Sequence, residues 1–139
     1  MNRITFPASL RYVGSNAYVD TTNIVEVCIS DLDSWCRIHF ASCEANPLYF
    51  GATLFLNGDE VSGTVIIPDD VERISPSLFE GCSKVSEIVS GKGVKYICNR
   101  AFCGCAALSK ISLSLGLKEI QCEAFCDCLS LRHLEIPVS

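Results

Sequence analysis

Val71-Glu72-Arg73-Ile74-Ser75-Pro76-Ser77-Leu78-Phe79-Glu80-Gly81-Cys82-Ser83-Lys84-Val85 decides how the chain must be read, because its pattern returns twice without a gap. Val71, Val94 and Leu117 are spaced by 23 residues, as are Ile74, Ile97 and Ile120. Phe79, Phe102 and Phe125 keep the same register, and so do Cys82, Cys105 and Cys128. Val85, Leu108 and Leu131, then Ile88, Ile111 and Leu134, complete six apolar columns. A unit this short cannot enclose a core. It can form one coil of a solenoid whose apolar side chains stack on the same columns in the coils beside it.

The pattern extends towards the N-terminus. Ile4, Phe6, Leu10, Val13 and Ala17 occupy the places of Ile111, Leu113, Leu117, Ile120 and Ala124, so residues 4–26 read as a diverged first repeat. From Val27 to the matching Val65 is 38 residues, which places an insert at about 37–64. Ahead of it, Ser30-Asp31 can cap a short helix carrying Leu32 and Trp35. Asn57-Gly58 between alternating Leu54/Leu56 and Val61 is a hairpin signal, since both turn residues tolerate positive φ. Within a repeat, Leu108–Leu113 reads as a strand, Leu117–Ile120 as a second extended piece and Glu123–Cys126 as a tight helical turn. The expected division is one domain over 1–139, with repeats near 4–26, 27–64, 65–87, 88–110 and 111–133 and a partial repeat at 134–139.

Ile66-Ile67-Pro68-Asp69-Asp70-Val71-Glu72-Arg73-Ile74, followed by Leu78-Phe79-Glu80-Gly81-Cys82-Ser83-Lys84-Val85, resembles the BspA-like leucine-rich repeat. The insert carries the likeness too, in Ser34-Trp35-Cys36, Asn46-Pro47-Leu48-Tyr49 and Leu54-Phe55-Leu56-Asn57-Gly58. Local departures are Tyr18 for phenylalanine and Thr21 for cysteine in the first repeat, and Ser90 at an apolar place. The expected fold is a β-rich solenoid: a leucine-rich-repeat right-handed coil with short helical turns and one helix-plus-hairpin insert. The resemblance implies adhesion to proteins of a host or neighbouring cell, and placement at the cell surface or in the secreted fraction.

Composition excludes several functions. The net charge of −5 argues against general nucleic-acid binding, which needs a basic face against phosphate. No apolar run approaches a membrane span, and the start of the chain, Met1-Asn2-Arg3-Ile4, has no signal-peptide stretch. Ten cysteines in 139 residues raise metal binding and disulfides. Cys103-x-Cys105 and Cys126-x-Cys128 could suggest a four-thiolate site. The register puts Cys105 and Cys128 inward, and Cys103 and Cys126 on the outward column of Glu80. Thiols facing opposite ways cannot form a tetrahedron. The column Cys82, Cys105, Cys128 falls within disulfide range, but its Cβ vectors run parallel. All ten thiols are therefore expected free, and no metal or cofactor is expected. His39 and His133 lie in different repeats without a periodic nucleophile, and Cys36 near His39 belongs to the insert. Gly91-Lys92-Gly93 lacks the rest of a phosphate-loop frame and reads as a turn.

What remains is surface. Alternation along the strands produces the outward rows Glu87, Lys110, His133 and Val89, Ser112, Glu135. A third row, Arg73, Tyr96, Glu119, has Tyr12 at the equivalent place in the first repeat. Aromatic and arginine residues on a rigid ladder are frequent interface anchors. Arg73, Glu87, Tyr96, Lys110, Glu119 and His133 are the candidate partner-binding residues. The expected function is a non-catalytic scaffold for protein–protein interaction or adhesion, within a longer surface protein. A structural spacer or stalk without a ligand, and an enzyme with its site in the insert, are the other readings. Leu134-Glu135-Ile136 should pair on one side with Ile111-Ser112-Leu113, leaving an open edge like that of Ile4-Thr5-Phe6. Such edges favour end-to-end self-association.

Overall fold

The computed structural model describes residues 2–17, 23–132 and 134. In chain order the elements are β1 (Arg3–Thr5), β2 (Tyr12–Val13), β3 (Glu26–Ile29), helix α1 (Leu32–Cys36) and β4 (His39–Phe40). Two 3-10 turns, Cys43–Ala45 and Pro47–Phe50, lead into β5 (Thr53–Leu56), β6 (Asp59–Glu60) and β7 (Ser62–Ile66). β8 (Arg73–Ile74), β9 (Lys84–Val89), β10 (Tyr96–Ile97), β11 (Lys110–Ser112) and β12 (Glu119–Ile120) follow.

Strands of successive repeats pair in parallel and in the register of the sequence columns. Ile74 faces Ile97 and Ile97 faces Ile120, while Val65 faces Ile88 and Ile88 faces Ile111. The first sheet face comprises β1-β3-β5-β6 and β7-β9-β11, and the second comprises β2-β4 and β8-β10-β12. Parallel pairing needs a connection of a dozen or more residues, and one repeat supplies it.

The insert is organised differently from its expected bounds. Val27 pairs with Leu54, not with the column of Val65. The second repeat is thus 27 residues long, and the stretch from Leu54 to Val65 holds the antiparallel hairpin β5–β6. Asn57 and Gly58 both have positive φ there, as their two-residue turn demands. α1 is capped by Asp31, whose carboxylate accepts from Asp33 N–H at 3.1 Å.

The tight helical turns expected in the repeats are 3-10 turns in the second repeat and runs of single turns in the last three. Among the described residues α1 is the sole α-helix. In the turns, alternate N–H groups are committed to the next repeat: Phe79 N–H donates to Ala101 O and Phe102 N–H to Ala124 O, both at 2.8 Å. The intervening N–H groups close three-residue turns, as from Cys103 to Arg100 O. An i to i−4 helical ladder would need the donors that this third ladder uses. In the last three repeats two backbone positions lie at positive φ. One is Ser77, Arg100 and Glu123, and the other is Gly81, Gly104 and Asp127.

The columns form one continuous core. Phe79 and Phe102 are fully buried, with ring centroids 5.9 Å apart and planes 1° from parallel. Phe125 stacks on Phe102 at 5.4 Å but is only half-buried, because the described chain covers it on one face. Phe6, Trp35 and Phe40 make an aromatic cluster at the other end of the core, with centroids 5.4–6.1 Å apart. Gly91 and Gly93 are explained by close approach: a Cβ on either would run into the backbone of Pro68 or Asp69 in the preceding repeat. The Gly91-Lys92-Gly93 segment is a turn stacked on a turn, with Lys92 N–H donating to Asp69 Oδ1 at 3.0 Å.

Candidate interaction surface

The candidate residues fall on two separate faces. Glu87 and Lys110 pair side by side on β9 and β11. Their side chains answer each other, with Lys110 Nζ 3.6 Å from Glu87 Oε2 and Thr64 Oγ1 donating to Glu87 Oε1 at 3.2 Å. This row is partly self-satisfied. His133, its third member, lies outside the described residues, as do Glu135 and Ile136 of the strand expected at the end of the chain.

Arg73, Tyr96 and Glu119 occupy directly paired positions on β8, β10 and β12. Their chain neighbours Ile74 and Ile97 are buried, so alternation turns the row outward. The Arg73 guanidinium lies over the Tyr96 ring, 5.1 Å from its centroid, and Nη1 donates to Cys98 Sγ at 3.2 Å. Tyr12 continues the row on β2, and His39 joins it on β4, a position the sequence did not mark as part of the row. Tyr12 and His39 are register partners with rings 5.5 Å apart and 11° from parallel. Tyr12 is 60% exposed, which is high for so large a ring.

Two clefts flank Arg73. One, of about 400 Å³, lies against Tyr49, Asn99, Arg100 and Glu123. Arg100 there is neutralised: its Nη2 is 2.6 Å from Glu80 Oε2, and its Nη1 is 3.2 Å from Glu123 Oε2. These carboxylates raise the Arg100 pKa further above its already high value, the Glu80 hydrogen bond most of all. The other cleft, of about 330 Å³, opens between β4 and β8.

Cys36 and His39 both line this second cleft. Burial pushes the Cys36 thiol up to about 12, which holds it as thiol at neutral pH. That disfavours a nucleophile.

The cysteines require a correction. Cys103 and Cys126 form a disulfide across one repeat, with Cα atoms 4.5 Å apart. Their column does not simply face out: Cys103 is buried and so is Glu80. The turn ladder carries the two residues into bonding distance, since Gly104 N–H donates to Cys126 O at 2.7 Å. Asp127 lies within 4.8 Å of both sulfurs, but joined sulfurs offer no thiolate to a metal. The inward column keeps free thiols. Cys105 Sγ lies 3.3 Å from Phe79 O, and Cys128 Sγ 3.1 Å from Phe102 O, each thiol donating to the repeat before it. A small apolar side chain with a weak donor satisfies both demands of that column.

The comparisons with known proteins agree with the geometry. The model of the BspA type leucine-rich repeat region (6 copies) matches residues 1–61 and 49–139. No curated protein and no solved structure matches. No helix among the described residues is long and apolar enough to cross a membrane. Together, the matched segments span the whole chain, and the chain belongs to the BspA-type leucine-rich repeat family.

Proposed function

We propose that the chain is a non-catalytic scaffold for protein–protein interaction or adhesion, wound as a right-handed solenoid and displayed at the cell surface or secreted. Membership of a family that often mediates protein interaction or adhesion supports the role, and the typical placement of its members supports the location. The parallel ladders between repeats support the winding, since parallel crossovers are overwhelmingly right-handed. The observation that carries the role is the row Arg73, Tyr96, Glu119, with Tyr12 and His39 along the same face. These side chains sit on main-chain ladders whose inward neighbours are packed, so little freedom is lost when a partner orders them.

Surface plasmon resonance against purified extracellular-matrix and cell-surface proteins tests this. Tyr96→Ala should weaken the binding of a captured partner by at least about tenfold, as expected for an interface anchor. Lys84→Ala, on the other face, should bind as the parent does. No binder in the panel, or equal binding by both variants, would contradict the proposal.

A further inference from the structure

The ladder of the second face breaks between β4 and β8, and the break is built like a binding site. β4 pairs with β2, and β8 with β10. Across the gap the connection is a side chain: the buried Ser75 hydroxyl donates to Ile38 O at 2.7 Å and accepts from Phe40 N–H at 3.3 Å. The result is the cleft of about 330 Å³, with Cys36, Ile38 and Val71 among its lining residues.

The charges around it do not cancel. Arg37 pairs with Asp70 at 3.2 Å, and Glu72 pairs with Lys95 at 3.5 Å. Arg11 and Arg73 also line the cleft, where the hydrogen bond from Arg37 holds the Asp70 pKa low and Arg11 adds to that positive field. Arg11 donates to the carbonyls of Ala8 and Leu10, and Arg73 to Cys98 Sγ. Neither forms an ion pair with a carboxylate among the described residues. The lining therefore holds three guanidinium groups, Arg11, Arg37 and Arg73, against two carboxylates, Asp70 and Glu72, on a chain whose net charge is −5. One strand beyond the cleft on each side, Tyr12 stacks on His39 and Tyr96 lies under the Arg73 guanidinium.

We propose that this cleft receives a carboxylate side chain from an acidic peptide segment of a protein partner, an inference that rests on the scaffold reading above. Arginine forks match carboxylates with two parallel hydrogen bonds. Asp70 and Glu72 at the same rim, and the overall negative charge, disfavour a densely charged polyanion such as a sulfated glycan. The apolar lining accommodates the methylenes that carry a glutamate carboxylate.

Fluorescence polarisation with a labelled peptide of alternating glutamate and glycine is the test. A peptide with glutamine in place of glutamate and a labelled heparin hexasaccharide are run beside it. The acidic peptide should bind, more weakly as salt rises, and the glutamine peptide should not. Arg11→Gln and Arg73→Gln should each weaken it about tenfold, the scale of one charge-assisted hydrogen bond. Lys84→Gln, which removes an ammonium paired with Glu60 away from the cleft, should leave it unchanged. Equal binding by the arginine variants, or binding of heparin but not of the peptide, overturns the proposal. Loss of the cleft alone is recognisable: the acidic peptide fails while Tyr96→Ala still weakens a protein partner. Failure of the scaffold reading looks different, with no protein bound and the peptide still dependent on Arg11 and Arg73.

Discussion

The indole N–H of Trp35 donates to Leu78 O at 2.9 Å, joining the helix of the second repeat to the turn of the third. Both residues are buried. The strand ladders are interrupted at this junction, where the Ser75 hydroxyl bridges Ile38 O and Phe40 N–H. Trp35, together with the buried Asn46 amide that donates to Ser77 O at 3.0 Å, therefore links two stacks that main-chain pairing does not join on the second face.

Trp35→Phe tests that role. The smaller ring keeps most of the apolar contact with Phe6 and Phe40 but leaves Leu78 O without this donor. The combined loss of packing volume and of one buried hydrogen bond should cost about 2–4 kcal/mol. Denaturant unfolding followed by circular dichroism measures it. A change within 0.5 kcal/mol, the range of an ordinary surface substitution, would show that the junction does not depend on the indole.

The disulfide makes a counting prediction. Thiol titration in denaturant without reductant should find eight reactive groups, and ten after reduction, because Cys103 and Cys126 are joined and the rest are free. Closing a 23-residue separation should contribute about 3 kcal/mol, so the Cys103→Ser, Cys126→Ser double variant should unfold at lower denaturant. Ten thiols before reduction would remove the link.

Alkaline stability follows from the buried thiols. Burial raises Cys36 and Cys82 from 9.0 to about 12. A raised folded-state value means that the folded chain binds more protons than the unfolded one. The stabilising contribution is full below the unfolded value and is lost as pH climbs from about 9 to 12. Urea midpoints measured across that window should fall steadily, and Cys82→Ala should flatten part of the decline. In the native state at pH 8, an alkylating reagent should label the exposed Cys122 first. Early labelling of Cys36 or Cys105 would show these thiols to be accessible.

The columns Ile74/Ile97/Ile120 and Phe79/Phe102 were legible because stacking repeats must bury the same position each time, and burial leaves a mark on residue type. The row Arg73, Tyr96, Glu119 followed from the same register. The insert was legible in kind but not in bounds, since Leu54 and Val65 are both apolar strand residues and only pairing shows which one continues Val27. The Cys103–Cys126 bond was not legible, because inward and outward faces alternate along strands but not through the turns, where the ladder geometry differs. The cleft depends on a missing ladder between β4 and β8, and no residue type announces that. The turns do carry a mark in the sequence: Gly81 and Gly104 recur at one of the two positions of positive φ.

Those turn positions give a fourth prediction. Asp127 stands at φ 56°, where the two preceding repeats have glycine. The left-handed region costs a residue with a Cβ about 1–2 kcal/mol, less for aspartate, whose side chain can bond locally. Asp127→Gly should be neutral or raise stability by up to about 1 kcal/mol, whereas Gly104→Ala should lower it by about 1–2 kcal/mol. Thermal melts of the two variants check the signs. A stabilising Gly104→Ala would show that the turn ladder is not as described.

Every surface and site described here depends on repeats stacked in one register, with Phe102 fully buried between Phe79 and Phe125. The most direct measurement is the unfolding free energy of Phe102→Ala beside that of Phe125→Ala. Removing Phe102 should cost about 3–5 kcal/mol, and removing the half-buried Phe125 distinctly less. A loss below about 1 kcal/mol at Phe102, or a larger one at Phe125, would contradict the stack.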